Sequence, residues 1–140
     1  MSRLSIKGLI FGAVVVYAFS MAGGFVLLAT LTKANFQGGL THDEIKAAAD
    51  AVRHTTPFLL ASLFISTFST LLGGYVAAKS AKRSPLLNSG VLGVFWFVLA
   101  IVFIQSNQNP LWFIATSLIL SIPVSVLGGY FVRVPKATDA

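Results

Sequence analysis

The 140-residue chain contains no cysteine, and only 10% of its residues are charged, four of them acidic. Without cysteine there is no disulfide framework, no thiolate nucleophile and no sulfur-based metal site. A soluble domain carries about 25% charged residues, so the surface needed to face water is missing. The acidic residues are also unhelpfully placed for chemistry. None of the long apolar runs contains Asp, Glu, His, Lys or Arg. Ionisable groups at that depth mark proton relays, coupled pumps and intramembrane catalysts, and general acid–base work needs such a group beside the reacting atoms. The serines within the runs have no base nearby in sequence to activate them. The expectation is therefore a protein without catalytic residues, cofactor or metal.

What is abundant is apolar: 56% of the residues, gathered into blocks instead of alternating with polar positions. A helix crosses the ~30 Å hydrocarbon core with roughly 20 apolar residues. Four blocks approach or exceed that length, about 8–31, 57–78, 86–104 and 111–132, with an outer loop at 32–56. Helices follow, because strands facing lipid leave backbone groups unpaired. The fold class expected is an all-α integral membrane protein, a single four-helix transmembrane bundle with a short amphipathic helix in its outer loop.

The formal net charge of +6 is unevenly distributed. Arg3, Lys7, Lys79, Lys82, Arg83, Arg133 and Lys136 fall on one side of the four spans, against Asp139 alone. On the other side Lys33, Lys46 and Arg53 are balanced by Asp43, Glu44 and Asp50, and the 105–110 turn is uncharged. The positive-inside rule places both termini in the cytoplasm. The basic excess is then an orientation signal, with anionic headgroups as its natural neighbours, and not a nucleic-acid surface. The first span has features of a signal peptide up to Ser20-Met21-Ala22, but its apolar run continues unbroken to Leu31.

The chain repeats itself. Shifted by 55 residues, FLLASLFISTFSTLLGGY (58–75) lies over FIATSLILSIPVSVLGGY (113–130) with 8 identities in 18 positions, including a Gly-Gly-Tyr end. The odd spans match only at Gly12 and Gly93. Two helical hairpins in a parallel repeat, related by a pseudo-twofold axis along the membrane normal, are the architecture this predicts. Ser62, Ser66, Thr70 and Gly74, and likewise Ser117, Ser121, Ser125 and Gly129, recur every four residues. With Gly73 and Gly128 they form a hydroxyl-and-glycine stripe suited to close helix packing. The same stripe would serve as the lining of a narrow path or headgroup groove. Gly8-xxx-Gly12 and Ala18-xxx-Ala22 offer comparable faces on the first span.

Tyr75, Trp112 and Tyr130 stand where interfacial aromatics belong. Trp96 lies mid-span, and is expected to fill space against small residues or face lipid. Pro123 is expected to kink the fourth span, with Ser121 partly satisfying the freed carbonyl. In the outer loop Thr41-His42-Asp43-Glu44 fits a capping box, and Ile45, Ala48, Ala49 and Val52 follow on one helical face. His42 and His54 are too far apart in helical phase to converge on a metal.

The segment LLGGYVAAKSAKRSP (71–85) resembles a pattern in small bacterial membrane proteins with four helices, in which a Gly-Gly-aromatic span end runs into a basic turn. The resemblance implies a bacterial inner membrane and no particular activity. The function expected is that of a non-enzymatic accessory or scaffold subunit, or a small homo-oligomer, whose partners are membrane lipids and other membrane subunits or itself. The alternative is an uncoupled channel or lipid/small-molecule transporter that uses the Ser/Thr faces.

Overall fold

The computed structural model describes residues 4–33, 41–81, 84–102 and 109–132. Arg3, Lys82, Arg83, Arg133, Lys136, Asp139 and positions 105–108 of the outer turn lie outside the described residues. Five helices run α1 (Ile6–Lys33), α2 (His42–Arg53), α3 (Thr56–Ser80), α4 (Pro85–Val102) and α5 (Leu111–Tyr130). All but α2 are long and apolar enough to cross a membrane. They begin within two residues of the expected spans. The fourth ends at Tyr130, two residues early, because residues 131 and 132 turn out of the helix.

Local chemistry accounts for the helix starts. Ser5 caps α1, its Oγ accepting from the Gly8 backbone N–H at 3.2 Å. Prolines sit at the first turns of α3 and α4, where their missing N–H costs nothing. In α2 the Thr41 N–H donates to Glu44 Oε2 at 2.8 Å, and the Thr41 hydroxyl donates to the same oxygen at 2.9 Å. These two bonds hold the Glu44 carboxyl below its ordinary value of 4.5, the backbone bond contributing most. The exposed Arg53–Asp50 pair at 3.5 Å adds little.

Helix α3 is the hub, packed against α1, α5 and α4, while α4 also lies along α5. Helices α1 and α4 touch only lightly, and α1 hardly meets α5. What lets α3 hold so many neighbours is glycine. A Cβ built on Gly12 would stand 2.8 Å from the Gly73 carbonyl oxygen, and one on Gly8 2.8 Å from that of Ala77. A Cβ on Gly74 would run into the backbone of Ser125, one on Gly128 into the Leu71 carbonyl, and one on Gly129 into Ser89. Gly93 sits 2.9 Å from the Ile122 Cα by the same measure. Main chain therefore lies on main chain, which is how helices gain dispersion contacts when lipid tails remove any hydrophobic drive between them.

The two Gly-Gly pairs divide this work differently. Gly73 meets α1 and Gly74 meets α5, whereas Gly128 meets α3 and Gly129 meets α4. The glycine that faces the hairpin partner is the first of the pair in α3 and the second in α5. Helices α3 and α5 nonetheless run parallel, since Gly74 lies at Ser125 and Gly129 beside Ala78, 51 residues apart in each case. The buried core is correspondingly small: Val16, Ala77 and Leu92, with Leu9, Ala13 and Trp96 against them. Large side chains such as Phe11, Phe25, Phe64 and Ile119 point outward.

Two outcomes follow. Gly74→Ala and Gly128→Ala should each lower the unfolding free energy in micelles by about 1–3 kcal/mol, the range for overpacking. Gly24→Ala, whose Cβ would meet nothing within 4 Å, should shift it by less than about 0.5 kcal/mol. Equal midpoints for all three would contradict the packing account. For α2, a depressed Glu44 carboxyl means that the capping contribution is complete above its ordinary value of 4.5 and is lost as pH falls through the lower folded value. Carbon chemical shifts of residues 42–46 should therefore move toward coil in that acid window, and Glu44→Gln should abolish the step.

Candidate functional site: a hydroxyl-lined cleft above a closed glycine floor

The stripes foreseen on α3 and α5 do not behave as uniform packing faces. Near the Gly-Gly ends Thr70, Gly73, Gly74, Ser125, Gly128 and Gly129 are all buried between helices. Farther along, Ser66 is exposed and Ser62, Ser117 and Ser121 are half-buried. The helices have separated there. Between them lies a cleft of about 340 Å³, walled by α1 (Val16, Tyr17, Ser20, Met21), α3 (Leu63, Ser66, Thr67, Thr70), α4 (Trp96, Ala100) and α5 (Ser117, Leu120, Ser121). Ser62 is not among its lining residues. Packing thus describes the glycine end of each stripe, Ser66, Ser117 and Ser121 give a polar lining, and Thr70 takes part in both.

The opening follows from the contact pattern. Leu92 from α4 reaches Gly12 and Gly73 near the floor, which ties α1 to α4 there. Beyond that point α1 is held by α3 and, toward its outer end, by α2, and a gap opens toward the α4–α5 pair. Ser121 is ten residues past Leu111, or about 15 Å along the helix, so the cleft sits near mid-span.

Three of the seven lining hydroxyls have their protons already used. Thr70 donates to the Ser66 carbonyl at 2.9 Å, Ser117 to Phe113 at 2.8 Å and Ser121 to Leu118 at 2.8 Å. Such back-bonding satisfies the donor and leaves the oxygen lone pairs free. These three side chains therefore present acceptors to the cleft. Ser121 bonds Leu118, and not the Ile119 carbonyl that Pro123 leaves without its N–H partner, so the expected compensation is not made. Among the described residues Tyr17, Ser20, Ser66 and Thr67 make no side-chain hydrogen bond to protein and can donate. Trp96 lines the cleft, and its Nε1 is the buried side-chain polar atom left without a partner among the described residues.

The closed end has its own polar network, which periodicity did not single out. Asn88 is fully buried. Its Oδ1 accepts from the Ser5 N–H at 2.8 Å and its Nδ2 donates to the Ser84 carbonyl at 2.9 Å, joining the start of α1 to α4. Ser125 donates to the Ser89 carbonyl at 2.6 Å, a bond between α5 and α4. A signal was available, since Asn88 is the one side-chain amide in the four apolar blocks. Among the interfacial aromatics, Tyr75 is half-buried with Lys79 Nζ 5.7 Å from its ring centroid, while Tyr130 and Trp112 are exposed. No group of three His, Asp or Glu residues able to hold a metal occurs among the described residues.

Replacing Asn88 with Leu would keep the branched shape and heavy-atom count, though not the volume, and leave the Ser5 N–H unpaired, at a cost of at least about 1–3 kcal/mol. Ser125→Ala should cost nearer 1 kcal/mol, because the Ser89 carbonyl keeps its place in the α4 ladder. Denaturation in micelles should rank Asn88→Leu below Ser125→Ala in stability, and the reverse order would deny Asn88 its stapling role.

Comparison with protein-family models, with curated proteins and with solved structures gives no match to this chain.

Proposed function

We propose that this chain is a non-enzymatic, multi-pass protein of a bacterial inner membrane, with both termini cytoplasmic, serving as an accessory or scaffold subunit or as a small homo-oligomer. The observation that carries this reading is the uncovered face of α1. Its Gly8-xxx-Gly12 stripe is filled by α3, but Ala18 and Ala22 are exposed. Small residues left open beside exposed Phe11, Val14 and Phe25 suit a further transmembrane helix. The basic residues on one side support the orientation, and the aligned stripes of α3 and α5 support a parallel repeat whose two copies have since diverged in their glycine contacts. Lipids and membrane subunits are the partners in this reading, and nucleic acid is not.

The cleft favours a second reading, an uncoupled transporter of lipid or small molecules, because it supplies polar groups at mid-span without any titratable carboxylate, amine or imidazole. The tightly packed glycine floor makes a permanently open channel the weaker form of it.

Three measurements separate these readings. A reporter active only in the cytoplasm, fused after Ala140, should be active, and inactivity would reverse the orientation. Native mass spectrometry after mild extraction should find a discrete oligomer or a stoichiometric partner, whereas a lone monomer would count against the scaffold reading. Flux of a neutral solute through proteoliposomes above that of empty vesicles would favour transport.

A further inference from the structure

We propose that the cleft is a binding site for an uncharged amphipathic molecule, one with an oxygen-bearing head (hydroxyl or ester carbonyl) on an apolar chain. The inference rests on the cleft reading but not on transport, because occupancy and movement are separate measurements.

The lining selects this chemistry in three steps. Thr70, Ser117 and Ser121 have their protons committed to their own helices, so they accept. Ser20, Ser66 and Thr67 retain protons to give. A head that both donates and accepts, such as a glycerol or alcohol hydroxyl, meets both sets, and an ester carbonyl meets the donors. No lining residue is a carboxylate, ammonium, guanidinium or imidazole. A charged head would therefore lose its hydration with no counter-charge in return, at a cost of several kcal/mol.

The remaining walls are apolar: Val16, Met21, Leu63, Ala100, Leu120 and the Trp96 ring. They match a hydrocarbon chain and would make a water-filled cleft poorly bonded on most sides. The volume of about 340 Å³ lies at the low end for ligand pockets, enough for a head and its first carbons while the rest of a chain lies in the bilayer. Tyr17 is an exposed lining residue and marks the mouth beside α1.

The test uses the full chain in nanodiscs with Trp112→Phe, so that Trp96 is the sole tryptophan reporter. Titration with 1,2-dioctanoylglycerol should change Trp96 emission saturably. Hexadecane, which lacks the head, and dioctanoyl phosphatidic acid, which is charged, should each require at least tenfold more. Ser66→Leu fills the cleft at a position open to it, and should weaken the diacylglycerol response at least tenfold while helicity is retained. Should that variant misfold, Ser66→Ala with Ser117→Ala should still weaken binding threefold or more. No saturable response would overturn the proposal, as would equal potency of hexadecane, equal potency of phosphatidic acid, or indifference to both sets of substitutions. Binding without proteoliposome flux would retire the transport reading and leave the site standing.

Discussion

Backbone-to-backbone contact along α3 is the constraint on which this bundle depends. Four glycines, at 73, 74, 128 and 129, bring α3 and α5 against each other and against α1 and α4 so closely that no Cβ fits. In a membrane that contact replaces the oily core of a soluble protein, because lipid solvates large apolar side chains as well as a neighbour would. The distribution of side chains obeys this logic. At the glycine end small residues and hydroxyls are buried, while Phe11, Phe19, Phe25, Phe64, Phe68 and Phe95 face outward. The hydroxyl bond from Ser125 of α5 to the Ser89 carbonyl of α4 lies within the same glycine-rich end.

The same constraint creates the cleft. Helices pinned at one end and carrying bulkier residues farther on diverge, and here the divergence leaves α1 apart from the α4–α5 pair. Serines at four-residue spacing continue through the transition, so a single stripe changes role from packing surface to lining. Rigid floor and open upper half are two consequences of one sequence feature.

Element identity was legible because length and polarity decide it in a membrane: the spans, the α2 capping box of Thr41 and Glu44, and the near-coincident boundaries all rest on local signals. The meaning of the stripe was not legible. Ser62, Ser66 and Thr70 look alike in sequence, and which of them is covered depends on where neighbouring helices diverge. Repeat alignment could not reveal that Gly73 and Gly128 face different partners, since that depends on the rotation of each helix about its own axis. Asn88 escaped notice for a different reason. Periodicity ranks apolar faces, and a lone amide registers as an interruption until its partner, the Ser5 N–H, is in view.

The central claim is that the bundle is closed at its glycine end and open above it. The chain has no cysteine, so single Ser→Cys substitutions report without background. Alkylation by N-ethylmaleimide in proteoliposomes should be fast for Ser20→Cys, Ser66→Cys and Ser117→Cys, and at least tenfold slower for Ser69→Cys, Ser89→Cys and Ser125→Cys, whose parent side chains are buried. Equal rates in the two groups, or faster reaction at the glycine end, would contradict the account.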